Sequence, residues 1–234
     1  MSPALSISSR FNGPLDSGNG GYCSGVVASF VDGPAEVSLR SPVPLDRPLE
    51  VLAGEGGSMR VLEGETLVAE ARPTEAVDLD VPAPVDPHTA RVSMREYRGL
   101  PDGPFCRCFV CGRARDDSLG VFAGKVEERD LVASTWTPPE WATDEQGEVR
   151  PEIVWGVLDC PTYFAAHLEE ELSLSFLARF AARLDAPVLA GREHVVTAWP
   201  VESEGRKRRA GSAILTPEGR TLAVADALLV EARA

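Results

Sequence analysis

The chain has no run of the roughly 18 to 20 apolar residues that a membrane-spanning helix requires. Its first ten residues, Met1 to Arg10, carry neither the charged start nor the apolar core of a secretory leader. No membrane partner is therefore expected, and a cytoplasmic location is. Positive charge is scarce as well: 23 Lys and Arg against 36 Asp and Glu leave a formal net charge of -13. That field repels a phosphate backbone, so no nucleic-acid partner is expected, Arg206-Lys207-Arg208-Arg209 being the one basic cluster. A disulfide framework is missing too, since five cysteines make an odd count in a chain too large to depend on cross-links. None of the three histidines has the neighbours of a catalytic triad: His88 sits among prolines, His167 precedes three glutamates, and His194 opens an apolar run. What is present is ordinary for a folded protein. Hydrophobic residues at 44% and charged residues at 25% exclude disordered, collagen-like and coiled-coil classes.

An internal repeat organises the 234 residues. Leu39-x-x-Pro42-Val43-x-x-x-Arg47 returns as Leu184-x-x-Pro187-Val188-x-x-x-Arg192, and Gly64-Glu65-Thr66-Leu67 returns as Gly219-Arg220-Thr221-Leu222. The second pair is spaced more widely than the first, which places an insertion around Glu202 to Gly211. Each half reads as a helical segment followed by strands. In the first, the small apolar run Gly20 to Val31 precedes strands at Glu36 to Arg40, Pro48 to Ala53, Gly57 to Leu62 and Thr66 to Arg72. In the second, a leading hairpin (Gly120 to Gly124, Leu131 to Trp136) is followed by helical segments at Pro151 to Leu168 and Glu170 to Leu184. Strands follow at His194 to Val201, Ala210 to Thr216 and Thr221 to Glu231, the last two joined by the turn Pro217-Glu218-Gly219-Arg220. Between the halves, Pro73 to Pro104 is rich in proline and charge and reads in part as a linker.

One helix wrapped by an antiparallel sheet, made twice in one chain, resembles the double hot-dog proteins related to acyl-CoA thioesterases, and within them an actinobacterial group. The words that carry the resemblance are Phe11-Asn12-Gly13-Pro14, Ser17-Gly18-Asn19-Gly20-Gly21-Tyr22, Cys108-Phe109-Val110-Cys111-Gly112, and Arg150-Pro151-Glu152 with Trp155 and Leu158-Asp159-Cys160-Pro161. The resemblance implies an α+β fold of two hot-dog halves, residues 1–104 with the proline-rich linker and residues 105–234. It also implies a small-molecule acyl thioester as substrate, coenzyme A entering only as part of that substrate and no separate cofactor. Hot-dog units often associate further through their sheets, so a homo-oligomer is compatible with it.

The chemistry of a thioester selects the candidate residues. Its carbonyl must be polarised, and backbone N–H groups at a helix start lack partners and lie at the positive end of the dipole. Asn19-Gly20-Gly21-Tyr22 meets that need: Gly20 and Gly21 permit close backbone approach, and Asn19 can cap the helix or orient the carbonyl. Many resembling enzymes carry histidine where Asn19 stands. A carboxylate must attack or activate water, and in the resembling enzymes it comes from the central helix of the opposite half. Asp159 is the candidate, an acid following the apolar run Ile153 to Leu158, with Pro161 expected to end or kink the helix beside it. Glu152, Trp155 and Tyr22 are candidates for contacting substrate. Arg206 and Arg208 are candidates for holding the phosphates of coenzyme A, against the reading of a solvated hairpin tip. Four tryptophans, Trp136, Trp141, Trp155 and Trp199, suit either an acyl tunnel or core packing.

Cys106-x-Cys108-x-x-Cys111-Gly112 is half of a zinc knuckle whose second half is missing; a fourth ligand would have to come from Cys160, Cys23 or a histidine. The expectation is no metal and a tight apolar turn. Cys23 has no base near it in sequence. The readings are therefore a thioesterase using Gly20, Gly21 and Asp159, a non-catalytic acyl or acyl-CoA binder, an enoyl-CoA hydratase or dehydratase, and a zinc-containing interaction module. The hydratase class pairs an aspartate with a nearby histidine, and His167 lies at a longer interval from Asp159 across Pro161.

Overall fold

Short apolar runs between glycine turns form strands through most of the chain. The computed structural model describes residues 4–100 and 102–233. Its elements are β1 (Ala4–Leu5), α1 (Gly20–Ala28), β2 (Ala35–Leu39), β3 (Leu49–Ala53), β4 (Met59–Glu63), β5 (Thr66–Pro73), α2 (Pro87–Ser93), β6 (Gly124–Lys125), β7 (Val132–Trp136), α3 (Pro151–Ala166), β8 (Ser175–Leu184), β9 (His194–Glu204), β10 (Lys207–Leu215) and β11 (Thr221–Glu231). The strands join one antiparallel sheet in the order β1-β3-β4-β5-β2-β8-β11-β10-β9-β7-β6.

That order is the same pattern written twice. β3-β4-β5-β2 matches β9-β10-β11-β8, while β1 and β7 take the same place beside β3 and β9. The repeated words sit at equivalent points: Leu39 and Leu184 end β2 and β8, and Thr66 and Thr221 begin β5 and β11. The interval from Leu39 to Leu184 also separates Glu36 from Ala181. Those two residues face one another where β2 pairs with β8, so a pseudo-two-fold passes through that pair.

Both long helices lie on one side of the sheet and cross antiparallel. Gly21 meets Asp159 and Trp155, while one turn on Gly25 meets Glu152 and Trp155. Glycine is required there. A Cβ at Gly21 would stand 2.3 Å from the Asp159 Cβ and 2.5 Å from the Trp155 carbonyl oxygen, and one at Gly25 would stand 2.8 Å from the Glu152 Cα. α3 is buried nearly all round between α1 and β9, β10 and β11, which is why its sequence is apolar on every face. Among the described residues no helix is long and apolar enough to cross a membrane.

Several expectations are corrected. The segment Glu170 to Leu184, expected as helix for its leucines, alanines and arginines, contains β8, because Ser175–Leu184 pairs with both β11 and β2 at the centre of the sheet. α1 stops at Ala28 rather than Val31. Of the two outcomes expected at Pro161, an end or a kink, the end does not occur: α3 runs through the proline to Ala166. The backbone near the proline finds other donors: Ser212 Oγ donates to the Leu158 carbonyl at 2.7 Å, and Thr162 Oγ1 to the Asp159 carbonyl at 2.6 Å. Glu202 to Gly211 is the extended end of the β9–β10 hairpin, turning at Gly205 with φ 57°. The proline-rich segment contains α2, and its Val77, Val85 and Ala90 pack with Leu131, Val195 and Trp199 in a second cluster on the sheet of the second half.

Candidate functional site

The start of α1 is built by one side chain and two missing ones. Asn19 is its N-cap, 3% exposed, with Oδ1 accepting from the Tyr22 N–H at 2.8 Å. The Gly21 N–H donates to Asp159 Oδ2 at 2.8 Å, a carboxylate brought from the opposite half by α3. The Gly20 N–H, an orphan of the first turn, has no protein partner among the described residues. Asp159 is 8% exposed, and burial pushes its pKa up to about 7, against the Gly21 N–H, which favours the anion; Cys108 adds to the rise and the Asn19 side chain opposes it. A carboxylate poised near neutrality at the positive end of a helix can shuttle a proton at physiological pH.

A cavity of about 470 Å³ opens at this point, with Asn19, Gly20 and Asp159 in its wall. Leu39 and Val43 line one side, Phe105 and Tyr163 another, and Leu177 and Leu229 a third. β8 carries an extra residue here: Leu228 faces Arg179 while Leu229 faces Leu177, which leaves Ala178 unpaired against β11, and Ala178 too lines the cavity. Arg40, exposed and 3.2 Å from Glu70, is the basic side chain in the wall. An apolar hollow with a few convergent polar groups is the usual form of a small-molecule site.

The loop holding Cys106 to Gly112 folds over the same end of α3. It sets Cys108 and Cys111 against Cys160, the three sulfurs lying within 4.8 Å of one another and all three residues lining the cavity. Cys108 Sγ and Cys160 Sγ are 3.6 Å apart, and Asn19 Nδ2 reaches Cys160 Sγ at 3.5 Å and Cys108 Sγ at 3.8 Å. Hydrogen bonds from the Cys111 and Cys160 thiols hold Cys108 well below the usual thiol range and raise those two in turn. All five cysteines are free. Cys106 stands apart from the cluster, and Cys23 is fully buried, its thiol pushed up by burial.

Asn19, Gly20, Gly21 and Asp159 are therefore brought together, with one change of role: the Gly21 N–H is engaged by Asp159, which leaves Gly20 as the free donor. The residues expected to contact substrate do not line the cavity. Tyr22 stacks on Phe11 at 4.1 Å, Trp155 packs edge-on against Phe180 at 5.6 Å, and Glu152 lies 3.6 Å from Arg150. Arg206 donates to the Glu231 carbonyl, and Arg208 is held by Glu231 at 2.6 Å and Glu170 at 2.8 Å, so both arginines are tied to the end of β11 and the segment after α3; Glu231 lines the cavity, but the arginines themselves do not. Trp136, Trp141 and Trp199 are absent from the wall as well. His167 Nε2 lies 3.0 Å from Ser175 Oγ and outside the wall, so Asp159 has no histidine beside it there. Tyr163, missed in the sequence, had a signal: it lies one helical turn beyond Asp159, on the same face. Leu177 and Phe105 had none.

No protein-family model matches the chain, and no curated protein matches it. Solved structures do match over nearly the whole length. A protein from Novosphingobium aromaticivorans described as a thioesterase is 13% identical, with a TM-score of 0.62 over 98% of this chain and 95% of that one. A tesB protein from Mycobacterium avium subs paratuberculosis is 12% identical, with a TM-score of 0.60 over 98% of this chain and 92% of that one. A conserved protein of unknown function with a hot-dog fold from Alicyclobacillus acidocaldarius is 12% identical, with a TM-score of 0.59 over 99% and 93%. At such identities the likeness concerns architecture: the chain is a tandem hot-dog, each half an antiparallel sheet wrapped around a central helix.

Proposed function

We propose that the chain hydrolyses an acyl thioester, such as an acyl-CoA, at the start of α1, with Asp159 as its carboxylate. The observation that carries this reading is a single placement: a buried acid from one half, its pKa near 7, on the helix start of the other half and in the wall of an apolar cavity. The apolar walls take the acyl chain. The thioester oxygen accepts from the free Gly20 N–H, where the helix dipole also favours the charge that develops on it.

In the reaction the Asp159 carboxylate takes a proton from water as the water oxygen bonds to the carbonyl carbon. The tetrahedral oxyanion rests on Gly20, the C–S bond breaks, and Asp159 returns its proton to the departing sulfur. The products are a free acid and a thiol. Asn19 acts through capping, holding the first turn in place. Arg40 is the cation available to the phosphates of coenzyme A.

The likeness to solved structures described as a thioesterase and as tesB supports the same reading by fold. A panel of short, long and aromatic acyl-CoAs, followed by released thiol, tests it. The expected result is turnover on at least one class, with kcat/KM rising with pH to a plateau above about 7 as Asp159 ionises. Binding of acyl-CoA with no thiol released from any substrate would overturn hydrolysis and leave the non-catalytic binder.

A further inference from the structure

Three thiols from two separate parts of the chain meet at the cavity wall, and hydrolysis makes no use of them. Cys108 and Cys111 come from the loop and Cys160 from α3, and all three are buried. A hydrophobic core gains little by gathering sulfur on sulfur, since valine or alanine would fill the same space, and reactivity or metal binding rather than packing is the usual reason for a cysteine. A ligand that binds sulfur does require the arrangement.

The geometry is that of a soft-metal site. In a tetrahedral zinc–thiolate centre with Zn–S bonds of about 2.3 Å, neighbouring sulfurs stand about 3.8 Å apart. Cys108 and Cys160 are 3.6 Å apart, and all three sulfurs fall within 4.8 Å of one another. The loop is folded as tightly as a metal knuckle. The Gly112 N–H donates to the Cys108 carbonyl at 2.8 Å, and a Cβ on Gly112 would stand 2.5 Å from the Cys108 nitrogen and 2.6 Å from the Cys106 carbonyl oxygen. Tyr97 Oη donates to the Cys111 carbonyl at 2.6 Å and ties the loop down from the other side. Asn19 directs the two hydrogens of its amide at Cys160 and Cys108, the neutral donors that metal-bound sulfur recruits from its surroundings.

We infer that Cys108, Cys111 and Cys160 bind one zinc-class cation, with the fourth coordination position facing the cavity. Three thiols bind as thiolates and release their protons to solvent, so a divalent cation leaves a net single negative charge on the centre, shared with the Asn19 amide. Three protein ligands with one open position is the arrangement of a metal that meets a water or a ligand, rather than one closed off by the chain. Because Asn19 both caps α1 and touches two of the sulfurs, the cation also fixes the turn that presents Gly20.

Metal analysis of the full chain, purified under reducing conditions without chelator, tests this without reference to activity. The expected result is one zinc per chain, and one cobalt after exchange, with the charge-transfer and visible bands of a thiolate-bound tetrahedral ion. Cys111→Ser and Cys160→Ser should reduce metal to trace levels, while Cys106→Ser and Cys23→Ser should retain it. Should the ligand variants fail to fold, alkylation of the wild type decides: zinc should shield three of the five thiols and leave the others at their metal-free rates. A reduced wild-type chain that takes up neither ion, or a Cys106→Ser chain that loses metal as fully as Cys111→Ser, would overturn the assignment.

Discussion

The two halves offer two helix starts related by the pseudo-two-fold, and they have become different objects. At the first, Asn19 caps, Gly20 and Gly21 carry no side chains, and Asp159 arrives from the other half. At the second, Pro151 has no N–H to offer, Arg150 makes no side-chain cap, and the α1 residue that meets Glu152 is Gly25. The cavity wall includes Asn19 and Gly20 and none of Arg150, Pro151 and Glu152. Duplication makes two candidate sites available, but a site needs donors, an acid and space together. Here all three occur at one helix start, which leaves the other free to serve packing.

Substitutions at the two starts can break this contrast. The largest effect on stability is expected from Gly21→Ala, because the new Cβ meets the backbone and Cβ of α3 rather than the far end of a flexible side chain. A loss of about 3 kcal/mol or more in urea unfolding is expected. A Gly21→Ala chain as stable as wild type would mean that the helices do not cross as closely as described.

Asp159→Asn should come next, and with the opposite sign. Asp159 is an acid whose folded pKa of about 7 lies above its ordinary 3.8, so folding favours the protonated form. Its contribution is fully present below about pH 4 and is lost as pH rises through about 7. Asn cannot ionise and keeps its acceptor for the Gly21 N–H, so the variant should be more stable than wild type by on the order of a few kcal/mol at pH 8, the gap closing toward pH 4. A gap that does not change with pH would remove the buried carboxylate from the account.

Smaller again is the cap. Asn19→Ala should cost about 1 kcal/mol by freeing the Tyr22 N–H, while Arg150→Ala at the other start should stay within about 0.5 kcal/mol, since no cap is lost there. Equal losses at the two positions would erase the distinction between them.

How far this was legible in the sequence follows the same line. The repeat was readable because Leu39 and Leu184, and Thr66 and Thr221, mark turns and strand ends whose local requirements are the same in both halves. Asp159 was readable because an acid in an apolar run must be accounted for. β8 was not, since Ser175–Leu184 has the composition of a helix and becomes a strand only through the neighbours on either side of it. Trp155, a candidate for contacting substrate, suited an acyl tunnel or core packing equally well by sequence. The antiparallel crossing sets Trp155 against Gly25, and only the path of α1 decides this. The surroundings of Arg206 and Arg208 were not legible for a like reason, their partners Glu231 and Glu170 being distant in the chain.

The most direct measurement sets one acid against the other: thiol release from the best acyl-CoA substrate by wild type, Asp159→Asn and Glu152→Gln under one set of conditions. Asp159→Asn should lose about a hundredfold or more in kcat, and Glu152→Gln should keep wild-type turnover. Retained turnover in Asp159→Asn, or an equal loss in both variants, would contradict a single site at the start of α1.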